Sequence, residues 1–295
     1  MILLTNEDRI GFIGTGVMGA SMAKRIMNAG YHVSIYTRTK QKATSLINAG
    51  ADWEDSIANL TKNCKVIITM VGYPSDVEKV YFSDQGILKN VAKDTYLVDM
   101  TTSKPKLAEQ IEREAEKKGC YALDAPVSGG DIGAKNGKLT IMVGGKEKAY
   151  KDILTLFQTM GENIILQGEA GAGQHTKLAN QITIASNMVG VCEAIAYAKK
   201  SGLNPELVLD SITAGAAGSW SLSNLAPRMI KEDYTPGFYV KHFIKDMKIA
   251  LESAGELGLS TPGLALSLKL YEELEAKGEA DSGTQALIKL FSLPH

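Results

Sequence analysis

The chain has 295 residues, 44% hydrophobic and 22% charged, an ordinary soluble composition and enough length for one large domain or two medium ones. A formal net charge of -1 provides no field that would draw the chain onto nucleic acid or an anionic membrane, so neither is expected as a partner. No run of about 18 apolar residues occurs, and Glu7, Asp8 and Arg9 stand directly before the first apolar run, so neither a membrane span nor a secretory signal is expected.

In chain order, residues 9–13 read as a strand, 20–29 as a helix stopped by Gly30, 32–36 as a second strand, and 40–48 as a helix ending before Gly50. Apolar runs at 65–71, 95–99, 121–125, 139–143 and 163–166 read as further strands, the earlier ones separated by helical stretches. Alternation of this kind predicts an α/β domain, a parallel sheet covered by helices. After about Gly168 the pattern changes. Residues 174–200 contain no proline and are apolar on most sides, which predicts one helix of roughly 40 Å, buried in a core or between subunits. Helical patterns follow at 205–212, 223–229, 243–257 and 264–277, with no convincing strand among them. The expected organisation is therefore a doubly wound α/β domain over 1–166 and an all-helical domain over 167–295 that begins with the long helix.

Cys64, Cys120 and Cys192 are far apart in apolar surroundings and read as reduced packing residues of a cytoplasmic protein. His32, His175, His242 and His295 form no ligand spacing, so no metal site is expected.

The first strand runs into Gly14-Thr15-Gly16-Val17-Met18-Gly19, with a helix after it and another strand following. That context fits a dinucleotide loop. Gly14 permits a tight turn, Gly16 a close approach of backbone to pyrophosphate, and Gly19 close packing of helix on strand. The same spacing also serves plain strand-to-helix turns. The second strand ends in Tyr36-Thr37-Arg38-Thr39-Lys40, without the Asp or Glu that would bind an NAD ribose hydroxyl. Arg38 and Thr39 suit a 2′-phosphate instead, so NADP(H) is expected over NAD(H), unless this is only a solvated basic turn. Met70, Val71 and Thr102 lie at the carboxyl ends of apolar runs, where open α/β sheets bind ligands, and are weaker cofactor candidates.

Four blocks in order resemble the β-hydroxyacid dehydrogenases, the 3-hydroxyisobutyrate dehydrogenase-like family. They are residues 11–19, Asp124-Ala125-Pro126-Val127-Ser128-Gly129-Gly130, Gly171-Ala172-Gly173-Gln174-His175-Thr176-Lys177, and Lys245-Asp246-Met247. The resemblance spans essentially the whole chain. It implies a Rossmann-type domain, a helical domain used for dimerisation, and interconversion of small carboxylate-bearing aldehydes with hydroxy acids. Lys177 is then the general acid in reduction and base in oxidation. From the residues alone it is a lysine in a first helical turn, where the helix dipole does not favour a cation. Ser128, Gly129 and Gly130 are implied to hold the substrate carboxylate, and two glycines after a serine can form a backbone nest, though a plain loop has the same composition. The family's asparagine four residues after the lysine is Gln181 here, and Asn180 precedes it. Either amide could orient the lysine or bind substrate. The resemblance further assigns Phe238 to the pocket, Lys245 to the cofactor and Asp246 to support of the lysine, although Asp246 alone reads equally as a surface carboxylate. Trp220 reads either as core or as part of a distal substrate pocket.

The expectation is an NADP(H)-dependent β-hydroxyacid dehydrogenase or small aldehyde-acid reductase, a homo-oligomer (dimer or tetramer). The alternatives are an imine reductase-like oxidoreductase, a group that generally lacks the lysine, and a non-catalytic NADP-binding module. The related 6-phosphogluconate dehydrogenases have a much longer helical region.

Overall fold

The computed structural model describes residues 4–291, and the chain divides into two compact units, the division falling after Lys177. In the first unit, β1 (Arg9–Ile13), β2 (His32–Tyr36), β3 (Asp52–Trp53), β4 (Val66–Thr69), β5 (Tyr96–Asp99) and β6 (Tyr121–Asp124) form a parallel sheet in the order β3-β2-β1-β4-β5-β6. The order reverses beside β1, which is the crevice where doubly wound folds bind dinucleotides. The sheet is not parallel throughout. The short β7 (Val127–Ser128) pairs antiparallel with β8 (Leu139–Gly145), which is also antiparallel to β6, and β9 (Gly161–Gly168) runs parallel to β8.

Strand residues point alternately to two faces, and both faces are apolar. Ile10, Phe12, Val66, Ile68, Tyr96 and Val98 pack on one side against Met22, Ala23 and Ile26 of the helix Val17–Asn28 and Ile153, Leu156 and Phe157 of the helix Glu147–Gln158. Ile13, Ile67 and Leu97 pack on the other against Val77, Val80 and Tyr81 of Pro74–Phe82 and Leu107, Ile111 and Ala115 of Pro105–Lys117. This is why these strands read as unbroken apolar runs rather than alternating ones. Cys64, Cys120 and Cys192 are free thiols in buried positions.

Several elements differ from expectation. The first helix begins at Val17 rather than residue 20, inside the glycine loop itself. Residues 40–48 form a 3-10 turn, Lys40–Ala43, before the helix Thr44–Asn48. Residues 127–136, where no element was expected, hold β7 and the helix Gly130–Asn136, both too short for a periodic signal.

The second unit is helical among its described residues, apart from an isolated bridge between Tyr239 and Gly283. Ala185, Met188, Val189, Cys192 and Ile195 of the long helix Ala172–Lys200 pack with Phe243, Met247, Leu264, Tyr271 and Leu287. The other α-helices among the described residues are Pro205–Thr213, Trp220–Asn224, Ala226–Ile230, Val240–Glu256 and Pro262–Leu274. Proline stands in the first turn of three of them, where its missing N–H costs nothing. The stretch 223–229, expected as one helix, is two, because Pro227 opens the second. The long helix is less apolar than its composition implied. His175, Ala179, Thr183, Ser186, Gly190, Glu193, Tyr197 and Lys200 recur at helical spacing and are exposed, a stripe of mostly small or polar side chains. Trp220 is exposed too, which removes the core reading for it.

Candidate active site

The loop after β1 is built as a dinucleotide turn requires. Gly14 has φ 98° and donates its N–H to the Tyr36 carbonyl at 2.9 Å, and a Cβ there would strike the Met70 carbonyl. A Cβ on Gly19 would strike the carbonyl oxygen of Gly14, so helix and strand meet only because both are glycine. Gly16 is different: no atom lies within 4 Å of where its Cβ would be. Gly16 is the N-cap of Val17–Asn28, offers no side-chain cap, and no acidic residue lies in the first turn, which contains Val17 and Met18. The leading N–H groups of a 12-residue helix therefore have no side-chain acceptor. Beside them the Thr15 hydroxyl is buried without a hydrogen-bond partner. Open space over Gly16, uncapped donors and an orphaned hydroxyl are what a pyrophosphate would complete, so these residues fit a dinucleotide.

At the end of β2, Arg38 Nη1 pairs with Asp76 Oδ1 at 3.0 Å, while the Arg38 side chain remains 78% exposed. Thr39 stands at the N-cap position of the adjoining 3-10 turn without a side-chain capping bond. Tyr36 stacks on Trp53, and Lys40 Nζ sits 5.1 Å from the Trp53 ring centre. Asp76, in the first turn of Pro74–Phe82, was not foreseen as a partner of Arg38, because it lies 38 residues away in sequence.

The ends of β4 and β5 are stitched together. Val71 N donates to Thr101 Oγ1 at 3.0 Å, and Thr101 N and Thr69 Oγ1 donate to the same Asp99 oxygen at 3.1 and 2.8 Å. Burial pushes the Asp99 carboxyl up to about 6, against the hydrogen bonds from Thr101 and Thr69. Met70 and Thr102 flank this network on either strand end, where the sequence put them.

At the end of β6, Asp124 does work the sequence reading had not assigned. Its two oxygens accept from Gly171 N and Gln174 N, each at 2.7 Å, so a strand carboxylate caps the amino terminus of Ala172–Lys200. Burial raises the Asp124 carboxyl, and these two N–H bonds oppose the shift. A Cβ on Gly173 would reach the Asp124 carbonyl at 2.6 Å, so this glycine lets the helix start seat on β6 and β8. The Gln174 amide donates to Thr101 O at 2.7 Å and accepts from Ser103 N at 2.8 Å. Lys177, one turn on, is 7% exposed. Ser128 is half-buried in β7, paired with Thr140, and Gly129 and Gly130 follow with φ 123° and 62°. Both glycines take positive φ angles where the chain turns into Gly130–Asn136.

In the second unit, Asn180 Nδ2 donates to Gln181 Oε1 at 2.9 Å, and Gln181 Nε2 donates to Asp246 Oδ2 at 2.6 Å. Lys245 Nζ lies 2.7 Å from Asp246 Oδ1, which accepts no well-directed hydrogen bond. Asp246 is buried, so the surface-carboxylate reading of it fails. Phe238 is half-buried and packs edge-tilted on Phe243, 5.7 Å between ring centres. No group of three or more His, Cys, Asp or Glu side chains able to hold a metal occurs among the described residues. No helix among them is long and apolar enough to cross a membrane.

The open, uncapped glycine turn fits the dinucleotide site of a Rossmann-type domain, and comparison with known proteins agrees. Residues 9–168 match the model of the NAD binding domain of 6-phosphogluconate dehydrogenase, and residues 171–291 that of the NAD-binding domain of NADP-dependent 3-hydroxyisobutyrate dehydrogenase. An uncharacterized oxidoreductase of Bacillus subtilis, YkwC, is 61% identical over 97% of this chain and 99% of its own length. A probable mitochondrial 3-hydroxyisobutyrate dehydrogenase-like protein of Arabidopsis thaliana is 49% identical over 97% and 86%. The solved structure of Mycobacterium tuberculosis 3-hydroxyisobutyrate dehydrogenase with L-serine is 28% identical, covers 97% of this chain and 100% of its own, and superposes with a TM-score of 0.89. The chain belongs to the β-hydroxyacid dehydrogenase family.

Proposed function

We propose that the chain is an NADP(H)-dependent dehydrogenase of small β-hydroxy acids, working equally as a reductase of the matching aldehyde acids, with Lys177 as general acid and base. The observation that carries this reading is Lys177 itself, an ammonium-bearing side chain buried near the amino end of a helix. Burying a cation is costly, which favours a role for the charge.

Bound nicotinamide supplies or accepts the hydride. In reduction Lys177 Nζ gives its proton to the carbonyl oxygen as negative charge develops there, and in oxidation it takes the hydroxyl proton. The uncapped helix start after Ser128, at Gly129 and Gly130, offers N–H donors for the substrate carboxylate and so sets which end of a short acid faces the lysine. Asp246 holds Gln181 and thereby fixes the turn of the helix that follows Lys177, which leaves Asn180 as the amide available to substrate. Arg38 favours the 2′-phosphate, and the absence of a carboxylate at the end of β2 supports NADP(H) over NAD(H). The proposal extends to a cytoplasmic homo-oligomer, whose molar mass light scattering on the purified protein measures.

The test is a turnover panel of glyoxylate, succinic semialdehyde, methylmalonate semialdehyde and tartronate semialdehyde with NADPH and with NADH. Lys177→Met should lower kcat by at least about 100-fold while NADPH still binds. Full turnover in that variant overturns the mechanism, and cofactor binding without turnover of any substrate by the wild type favours the non-catalytic reading.

A further inference from the structure

We infer that Gln174 is a positioning residue that sets the catalytic lysine against the strand-end loop around Thr102, an inference that rests on the function proposed above. Gln174 is fully buried, and its side-chain amide bonds to both Thr101 O and Ser103 N. Those two backbone groups flank Thr102. The amide thus closes the loop as a neighbouring strand would, with Thr102 held at its centre. The backbone N–H of the same Gln174 is held by Asp124 Oδ2. Gln174 and Lys177 are three residues apart on one helix and therefore share a face. The loop of Thr101 continues to the other cofactor strand, because Thr101 Oγ1 accepts from Val71 N. One side chain accordingly links the ends of β4 and β5, which hold the cofactor candidates Val71 and Thr102, to the helical turn that bears Lys177.

The chemistry of the amide gives a selective test. It donates to a carbonyl and accepts from an N–H at once. Gln174→Met fills the space and does neither. Gln174→Glu, when ionised, still accepts from Ser103 N but faces the Thr101 carbonyl with an oxygen that has no proton. When protonated, the carboxylic acid has an O–H for Thr101 O and an oxygen for Ser103 N, so it reproduces both bonds. Burial favours that neutral form at mildly acid pH.

The experiment compares wild type, Gln174→Met and Gln174→Glu as folded full chains. It measures kcat against pH, NADPH dissociation constants by nucleotide fluorescence, and amide exchange at Thr102 and Ser103 with NADPH bound. A misplacement of about 1 Å can cost roughly 100-fold in rate, so both variants should lose about 10- to 100-fold in kcat at pH near 8. The Gln174→Glu to wild-type ratio should then recover by about 10-fold as pH falls to near 6, while Gln174→Met stays flat. Exchange at Thr102 and Ser103 should be faster in Gln174→Met at every pH. A role in folding alone predicts a lower Tm with kcat per folded site and its pH profile unmoved, and that result overturns the inference. Should the wild type reduce no aldehyde acid, the proposed function fails separately. The inference is then decided by cofactor affinity and amide exchange, and unchanged values of both in Gln174→Met reject it.

Discussion

Asp99→Asn should remove a pH dependence from the stability of the nucleotide-binding unit. Asp99 is buried at the end of β5, and its carboxyl is pushed up to about 6 from an ordinary 3.8, chiefly by burial. A group whose folded value lies above its unfolded value contributes stability below the unfolded value and loses it as pH rises through the folded one. A rise of about two units corresponds to about 3 kcal/mol lost between roughly pH 4 and pH 6, as the buried acid is forced to ionise. Asparagine has the same shape and no charge. Both hydrogen bonds that Asp99 receives, from Thr69 Oγ1 and Thr101 N, fall on one oxygen, and the asparagine carbonyl can accept both. The new amide N–H groups meet no assigned acceptor and cost about 1–3 kcal/mol, a penalty independent of pH in this range. The stability of Asp99→Asn relative to wild type should therefore rise by about 3 kcal/mol from pH 4 to 7, whatever its absolute offset. Urea unfolding followed by Trp53 fluorescence, in a Trp220→Phe background, reads this unit by itself, since the chain has two tryptophans and Trp53 lies in the first unit. A difference that stays flat across that range would refute the raised carboxyl.

Two further predictions concern the nucleotide turn. Arg38→Ala should raise the KM for NADPH by about 10- to 100-fold and alter that for NADH far less. The fold should barely respond, because the exposed pair with Asp76 contributes at most about 1 kcal/mol. Equal loss for both cofactors, by steady-state kinetics, would remove the 2′-phosphate role. Gly16→Ala and Gly19→Ala should behave oppositely. The first meets no protein atom and should weaken cofactor binding with under about 1 kcal/mol lost in stability. The second drives a methyl into the Gly14 carbonyl and should cost about 1–3 kcal/mol of stability even without cofactor, measured by thermal melting.

The α/β fold class, the helical second half and the family were legible because they rest on runs long enough to carry a pattern. The apolar strands β1, β2, β4, β5 and β6 were all visible, since each is buried on both faces. β3 and β7, two residues each, carry no period and were missed. The exposed stripe of the long helix was hidden by its composition: Ala179, Gly190 and Tyr197 count as neutral or apolar residues although they face solvent. At the site, Gly14 to Gly19 were legible as a strand-to-helix turn from residue type and spacing, Arg38 stood out beside the missing carboxylate, and Lys177 stood out only through the family resemblance. Asp124 and Gln174 were inside quoted blocks, yet their tasks were not, because their partners lie 47 to 73 residues away across the sheet. An aspartate ending an apolar strand, with a glycine pair opening a later helix, was the available signal for a remote cap.

Two segments of this chain share a glycine-x-glycine pattern before a helix, and what the missing Cβ would meet separates their roles. Over Gly16 there is no protein atom within 4 Å, the helix behind it is uncapped, and a neighbouring hydroxyl is buried without a partner. At Gly173 the space is already taken by the backbone of β6 and β8, and the helix behind it is capped by Asp124. The first turn is unfinished as protein, and an anion would complete it. The second is finished, and its glycines serve to press a helix against a sheet. Glycine spacing alone gives both the same reading, so the weight belongs on the donors left over. An N–H row with no acceptor in the folded chain marks a ligand site, whereas a row satisfied by a buried aspartate marks a fixed point. From that fixed point Lys177 lies one turn past Gln174, so under the function proposed above its proton donor stands on a helix turn anchored by Asp124.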